Sequence, residues 1–140
     1  MNKTDDLTLR PHHCGISVAD LEASIDWYSR MLGFALEKRV EVEGLPAKIA
    51  FIKNGDFMIE LFEIPGAAPL PEDRKHPNRD IMTQGTKHLA YQVNDTKQLV
   101  EFLKSQGVEV ALDVQIIDNT AMAFIRDNTG NLIELIQPLD

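Results

Sequence analysis

Two histidines and two glutamates recur at matching places in this chain. His13 and His88 each head a short strand-like stretch, five residues before a valine (Val18, Val93) and seven before an aspartate (Asp20, Asp95). Glu60 and Glu134 each sit at the centre of the tripeptide Ile-Glu-Leu. The histidines are 75 residues apart and the glutamates 74, so both ends of one module recur at nearly one period. Strand alternation sets His13 on a face with Gly15 and Ser17, and His88 with Ala90 and Gln92. It sets Glu60 among Met58, Phe62 and Ile64, and Glu134 among Leu132, Ile136 and Pro138. An ionised carboxylate in apolar company is costly unless it is paired or coordinates a cation. If the modules pair about a pseudo-twofold axis, His13, Glu60, His88 and Glu134 meet at the sheet centre. Two imidazoles and two carboxylates suit one divalent ion (Ni, Co, Mn, Zn or Fe), with positions left for water or substrate.

The elements that must hold these groups follow from periodicity. After each histidine strand comes a helical pattern, Leu21, Ile25, Tyr28 and Leu32 in the first copy and Leu99, Phe102 and Leu103 in the second. Asp20 and Asp95 are the expected N-caps, and Gly33 and Gly107 the expected stops. Three strand-like runs follow each helix. They are "FALEKRVEV", "AKIAFIK" and "FMIELFEI" in the first half, and "VEVALDV", "AMAFIRD" and "NLIELIQ" in the second. The chain thus divides into a βαβββ module over residues 10–64, a proline-rich linker over 65–86 that could cover a site, and a second βαβββ module over 87–138. A module of that size cannot bury both faces of its sheet alone, so two halves or two chains must pair. By alternation His12 points away from His13, and His76 reads as a solvated loop residue.

Composition narrows the function. The net charge is −8, with no run of Lys or Arg able to track a phosphate backbone, which excludes nucleic acid and anionic membrane surfaces as natural partners. No apolar run approaches the roughly 20 residues of a membrane span, and the first residues lack the apolar core of an export signal, so a cytoplasmic protein is expected. Cys14 is the only cysteine, which rules out an internal disulfide and reads as a small packing residue.

The stretches "HCGISVADLEASIDWYSRMLGF", "FMIELFEI", "HLAYQVND" and "RDNTGNLIELIQ" together resemble the vicinal oxygen chelate superfamily over about residues 10–137. That group includes glyoxalase I, methylmalonyl-CoA epimerase, extradiol dioxygenases, and fosfomycin and bleomycin resistance proteins. The resemblance implies an α/β (α+β) fold of two paired βαβββ modules forming an incompletely closed eight-stranded sheet around a central site, often in a homodimer. The glyoxalase I ligand pattern lands on His13, Glu60, His88 and Glu134. The position where that enzyme carries an arginine, four residues after the first ligand, is Ser17 here. The run "KRVEVEGLPAKIAFIKNGDFMIELFEIP" is similar to the epimerase segment leading to its second ligand. The implied activity is that of a metal-dependent lyase or isomerase. It removes a proton next to a carbonyl of a small oxygenated substrate, and the metal stabilises the resulting enediolate or enolate. Glu134 is the first candidate for the base and Glu60 the second, while Ser17, Gln92, Phe62 and Met58 would shape the substrate pocket. Two other readings belong to the same superfamily: an Fe(II) dioxygenase built on one histidine and one glutamate, and a non-catalytic drug-binding resistance protein.

Overall fold

The computed structural model describes Leu7 and residues 9–140. The first module runs β1 (His13–Ser17), α1 (Leu21–Leu32), β2 (Ala35–Val40), β3 (Lys48–Asn54) and β4 (Phe57–Glu63). After the linker come β5 (Leu89–Gln92), α3 (Thr96–Ser105), β6 (Val110–Ile117), β7 (Thr120–Arg126) and β8 (Leu132–Pro138). Each module makes its own four-stranded sheet, in the order β1-β4-β3-β2 and β5-β8-β7-β6. In both, the histidine strand lies parallel to the glutamate strand while the other pairs are antiparallel. The parallel pair sets each histidine beside its glutamate: the helix crossover brings the chain back in the same direction at the outer strand, and two antiparallel turns then lead to the glutamate strand.

The caps sit where the sequence puts them. Asp20 accepts from the Ala23 N–H at 3.0 Å and Asp95 from the Gln98 N–H at 2.9 Å, which starts both helices at the same offset from their histidines. Gly33 ends α1 at a φ of 72°, a left-handed conformation that favours glycine. In α3 the buried residues are Thr96, Val100 and Leu103, whereas Phe102 is exposed, contrary to the apolar stripe expected from spacing. The Thr96 hydroxyl donates to the Ala121 carbonyl at 2.9 Å. That bond lets a polar residue occupy the inner face and turns Phe102 outward.

One apolar core joins the helix-facing sides of both sheets. It includes Tyr28, Ile52, Ile59 and Leu61 from the first module and Val100, Leu103, Ile133 and Leu135 from the second. Tyr91 of β5 packs edge-on against Phe34 at 6.0 Å and Phe57 at 5.4 Å, so an aromatic bridge crosses from one module to the other. The Tyr28 hydroxyl donates to Asp127 Oδ2 at 2.7 Å, a buried bond across the same boundary. Asp127 Oδ1 in turn accepts from the N–H groups of Thr129, Gly130 and Asn131, which shapes the turn before β8.

Residues 72–87 form an ordered strap on the second module. A 3₁₀ turn (Glu72–Lys75) leads into a single helical turn, α2 (Pro77–Asp80). Arg126 of β7 donates through Nε to the Lys75 carbonyl at 2.8 Å. Asp80 is buried, with Arg74 Nε at 2.9 Å and Lys87 Nζ at 3.1 Å from its Oδ1.

Candidate functional site

The burial of one sheet face against helices leaves the opposite face of each sheet as a candidate site. In the first module all four strands bring a row of residues into register on that face: Lys38 of β2 opposite Phe51 of β3, Phe51 opposite Glu60 of β4, and Glu60 opposite Gly15 of β1. In the second module the equivalent row is Leu112, Phe124, Glu134 and Ala90. His13 stands one place from Gly15 along its face, and His88 precedes Ala90 in the same way. The small residues at Gly15 and Ala90 leave room over each glutamate. A Cβ added at Gly15 would lie 3.1 Å from the Phe62 ring and 3.9 Å from Glu60 Oε1.

The geometry pairs the four residues two by two. His13 Nε2 is 3.4 Å from Glu60 Oε1, and His88 Nε2 is 3.2 Å from Glu134 Oε2. All four side chains are partly exposed, from 20% to 35%. Among the described residues no three His, Cys, Asp or Glu side chains come together in a group able to hold a metal ion. Within one chain, therefore, the structure brings His13 to Glu60 and His88 to Glu134, but does not gather the quartet.

An aromatic ring braces each pair, and sequence reasoning did not single these rings out. Phe51 meets the His13 ring edge-to-face at 5.1 Å, and Phe124 meets His88 at 4.8 Å. The signal was present: the tripeptide Ala-Phe-Ile occurs at 50–52 and again at 123–125, inside the same repeat. His12 stands outside β1, so strand alternation does not turn it away; its Nδ1 lies 2.7 Å from His13 Nδ1.

The remaining sequence-derived positions are spread over several cavities, and Ser17 shares one of about 250 Å³ with Gly15 and His88. Met58 and Phe62 flank Glu60 on β4, opposite His13 and Ser17 of β1. Ser17 also lines a cavity of about 630 Å³ with Glu63, Leu70 and Thr129, beside the proline-rich start of the linker. Gln92 lines another of about 500 Å³ with Phe34, Asn54 and Phe57. The cavity beside His88 and Glu134 is about 340 Å³ and is walled by Ile81, Leu112, Met122 and Phe124. His76 is not a solvated loop residue: it is half-buried in the strap, 3.1 Å from Glu72 and 3.4 Å from Arg126. Partial burial pushes the Cys14 thiol up from its usual range, which suits a packing residue rather than a nucleophile.

The donor set fits a divalent ion. At metal–ligand bonds of roughly 2.1 Å, neighbouring donors on one ion lie about 3.0–3.4 Å apart, the range in which both His–Glu pairs fall. Each pair would offer an ion one nitrogen and one oxygen donor.

Comparison with known proteins places the chain. Residues 10–135 match the model of the glyoxalase/bleomycin resistance protein/dioxygenase superfamily. The chain is 31% identical over 128 residues to the uncharacterized protein YaeR of Escherichia coli K12, covering 90% of this chain and 94% of that protein. It is 28% identical over 131 residues to a lactoylglutathione lyase of Neisseria meningitidis, covering 92% and 91% of the two chains. Among solved structures, the trypanothione-dependent glyoxalase I of Leishmania major superposes with a TM-score of 0.72 at 25% identity, covering 93% of this chain and 87% of that one. With its repeated βαβββ modules, two open sheet faces and a His–Glu pair on each, this chain belongs to the glyoxalase/bleomycin resistance protein/dioxygenase superfamily.

Proposed function

We propose that the protein is a metal-dependent lyase or isomerase that removes a proton next to a carbonyl group of a small oxygenated substrate. Its site is completed when two copies of the chain join the His13–Glu60 half of one to the His88–Glu134 half of the other. The observation that carries this reading is the pair of repeat-equivalent His–Glu contacts, at 3.4 and 3.2 Å on open sheet faces, with no third ligand in reach among the described residues. Two ligands are half of the usual four, and a second copy in twofold symmetry supplies the other half to two sites at once. Ile81, Met82, Ile116 and Ile117 are exposed on or beside the second module, apolar surface that such an assembly would cover. The lactoylglutathione lyases among the relatives support the same class of reaction.

His13, Glu60, His88 and Glu134 would hold the ion, and a divalent metal there supplies a Lewis acid for the negative charge that develops on the substrate's oxygens. The chain's own groups do the rest. Glu134, beside Phe124 and lining its cavity, is the carboxylate that would take the proton from carbon and return it to a neighbouring or the same carbon. Glu60 is the equivalent carboxylate in the first half. Phe51 and Phe124 fix the imidazole planes, and Phe62 and Met58 keep the ground around Glu60 apolar.

The direct test is elemental mass spectrometry of untagged protein beside a Glu134→Gln variant. About one divalent ion per chain is expected in the wild type and less in the variant. Wild-type protein that carries no metal and takes up none from Ni, Co, Mn, Zn or Fe(II) solutions would overturn the reading.

A further inference from the structure

The two faces are built on one plan and differ at one telling position. Lys38 and Leu112 are repeat equivalents, each the cross-strand partner of the phenylalanine that braces the histidine. The Lys38 ammonium lies 5.0 Å from the centre of the Phe51 ring, whose edge meets His13 at 5.1 Å. The cation is thus held by the aromatic face one ring away from the first half-site. Leu112, in contrast, walls the cavity beside His88 and Glu134 together with Ile81 and Met122. Nothing in the fold demands this difference, since both residues occupy the outer strand of the same four-strand row.

Lys38 is, with Arg10, Lys53 and Lys97, one of the basic residues left without a carboxylate partner among the described residues, although the chain carries a net charge of −8. Its neighbour Arg39, on the opposite face of β2, is paired with Glu22 at 2.6 Å, and Lys48 faces Glu63 at 3.5 Å. Lys53 shares the face of Lys38, cross-strand from Met58, and is likewise outside any ion pair among the described residues. The cation of the second module's face, Arg126, is tied to the Lys75 carbonyl of the strap and to Glu109. One half of the site therefore presents free positive charge and the other presents apolar wall.

We propose that Lys38 is a specificity residue that selects substrates carrying a carboxylate beyond their metal-chelating oxygens, while Leu112, Ile81 and Met122 receive the uncharged end. This rests on the metal-bound, two-chain site proposed above. Lys38 is exposed, so its ammonium is open to a ligand, and a charge-assisted hydrogen bond is the strong contact a carboxylate would make there.

The experiment uses manganese-loaded protein and two near-isosteric metal chelators, butyrohydroxamate and the monohydroxamate of succinate, which differ in a terminal carboxylate. Binding is measured by titration calorimetry for wild type, Lys38→Met and Lys38→Arg, with metal content checked in each. The wild type should bind the carboxylated chelator about tenfold more tightly than the neutral one. The ratio should fall to near one in Lys38→Met and persist in Lys38→Arg. Equal affinities in the wild type, or a preference that survives Lys38→Met, would overturn the assignment while leaving the metal site standing. Failure of both chelators to bind manganese-loaded wild type would instead strike the site itself, and this inference with it.

Discussion

Two half-sites on separate modules make a quantitative prediction about mixing. Take one variant damaged in the first half, Glu60→Gln, and another damaged in the second, Glu134→Gln. In a homodimer of either, both sites lack a ligand. Mixing them through denaturation and refolding at equal amounts gives about half mixed dimers if association is random. In each mixed dimer one site receives both damaged halves and the other receives both intact halves. About one site in four is then whole, so metal content and activity should recover to about a quarter of wild type from two nearly inactive parents. The structure supplies the premise: each glutamate pairs with the histidine of its own module, at 3.4 and 3.2 Å, and the two pairs do not meet within a chain. Elemental analysis on the refolded mixture, with turnover read as washing of solvent deuterium into an enolisable carbonyl compound, gives both readouts. If both remain at the parents' level while wild type refolded alongside recovers fully, the two-chain site is refuted, because a site built within one chain leaves every copy damaged.

Three further outcomes follow from contacts elsewhere. Tyr28→Phe removes the buried bond to Asp127 and should cost about 1.5–3 kcal/mol, the range for a hydrogen bond to a charged group; urea unfolding followed by the fluorescence of Trp27, the only tryptophan, measures it. Burial, and for Tyr28 the Asp127 carboxylate beside it, raises the hydroxyl pKa of Tyr28 and Tyr91 above the usual value near 10. Between the unfolded and folded values the native state keeps the protons that the unfolded chain has lost. Stability should therefore be unaffected by these groups below about pH 10 and fall above it, by about 1.4 kcal/mol per pH unit for each tyrosine; Tyr28→Phe should flatten part of that slope in urea titrations at pH 9 to 11. Gly15→Leu should fill the space over Glu60, where even a Cβ approaches the Phe62 ring to 3.1 Å, and abolish turnover with little loss of helical circular dichroism; wild-type turnover in that variant would show that the space is not used.

The two His–Glu contacts were legible because the chain states the pattern twice, whereas the separation of the two pairs within one chain was not. A histidine or glutamate in one strand has many explanations, but the same residues at the same offsets in two modules have few. The caps were equally plain, since Asp20 and Asp95 act within three residues of their own position. What escaped depended on neighbours across strands. Phe51 and Phe124 look like ordinary core residues until sheet register sets them beside Glu60 and Glu134. Phe102 has helical spacing from Leu99 and Leu103 yet faces outward, because a hydrogen bond to β7 makes Thr96 an inner residue. The order of residues 72–87 has no periodic signature; it comes from bonds by Arg126, Arg74 and Lys87 to groups in the segment.

The aromatic bridge from Phe34 and Phe57 to Tyr91, with the Tyr28–Asp127 bond beside it, redraws the chain's internal borders. Chain connectivity and physical connection do not coincide. The strap that sequence assigns to the joint is fastened to the second module, so the true joint shrinks to the stretch from Ile64 to Pro71. The modules beyond it are held by side chains rather than by the peptide that links them. A nick in that short joint should leave two pieces that stay together and unfold together, and damage to the core beneath one half-site should loosen the other.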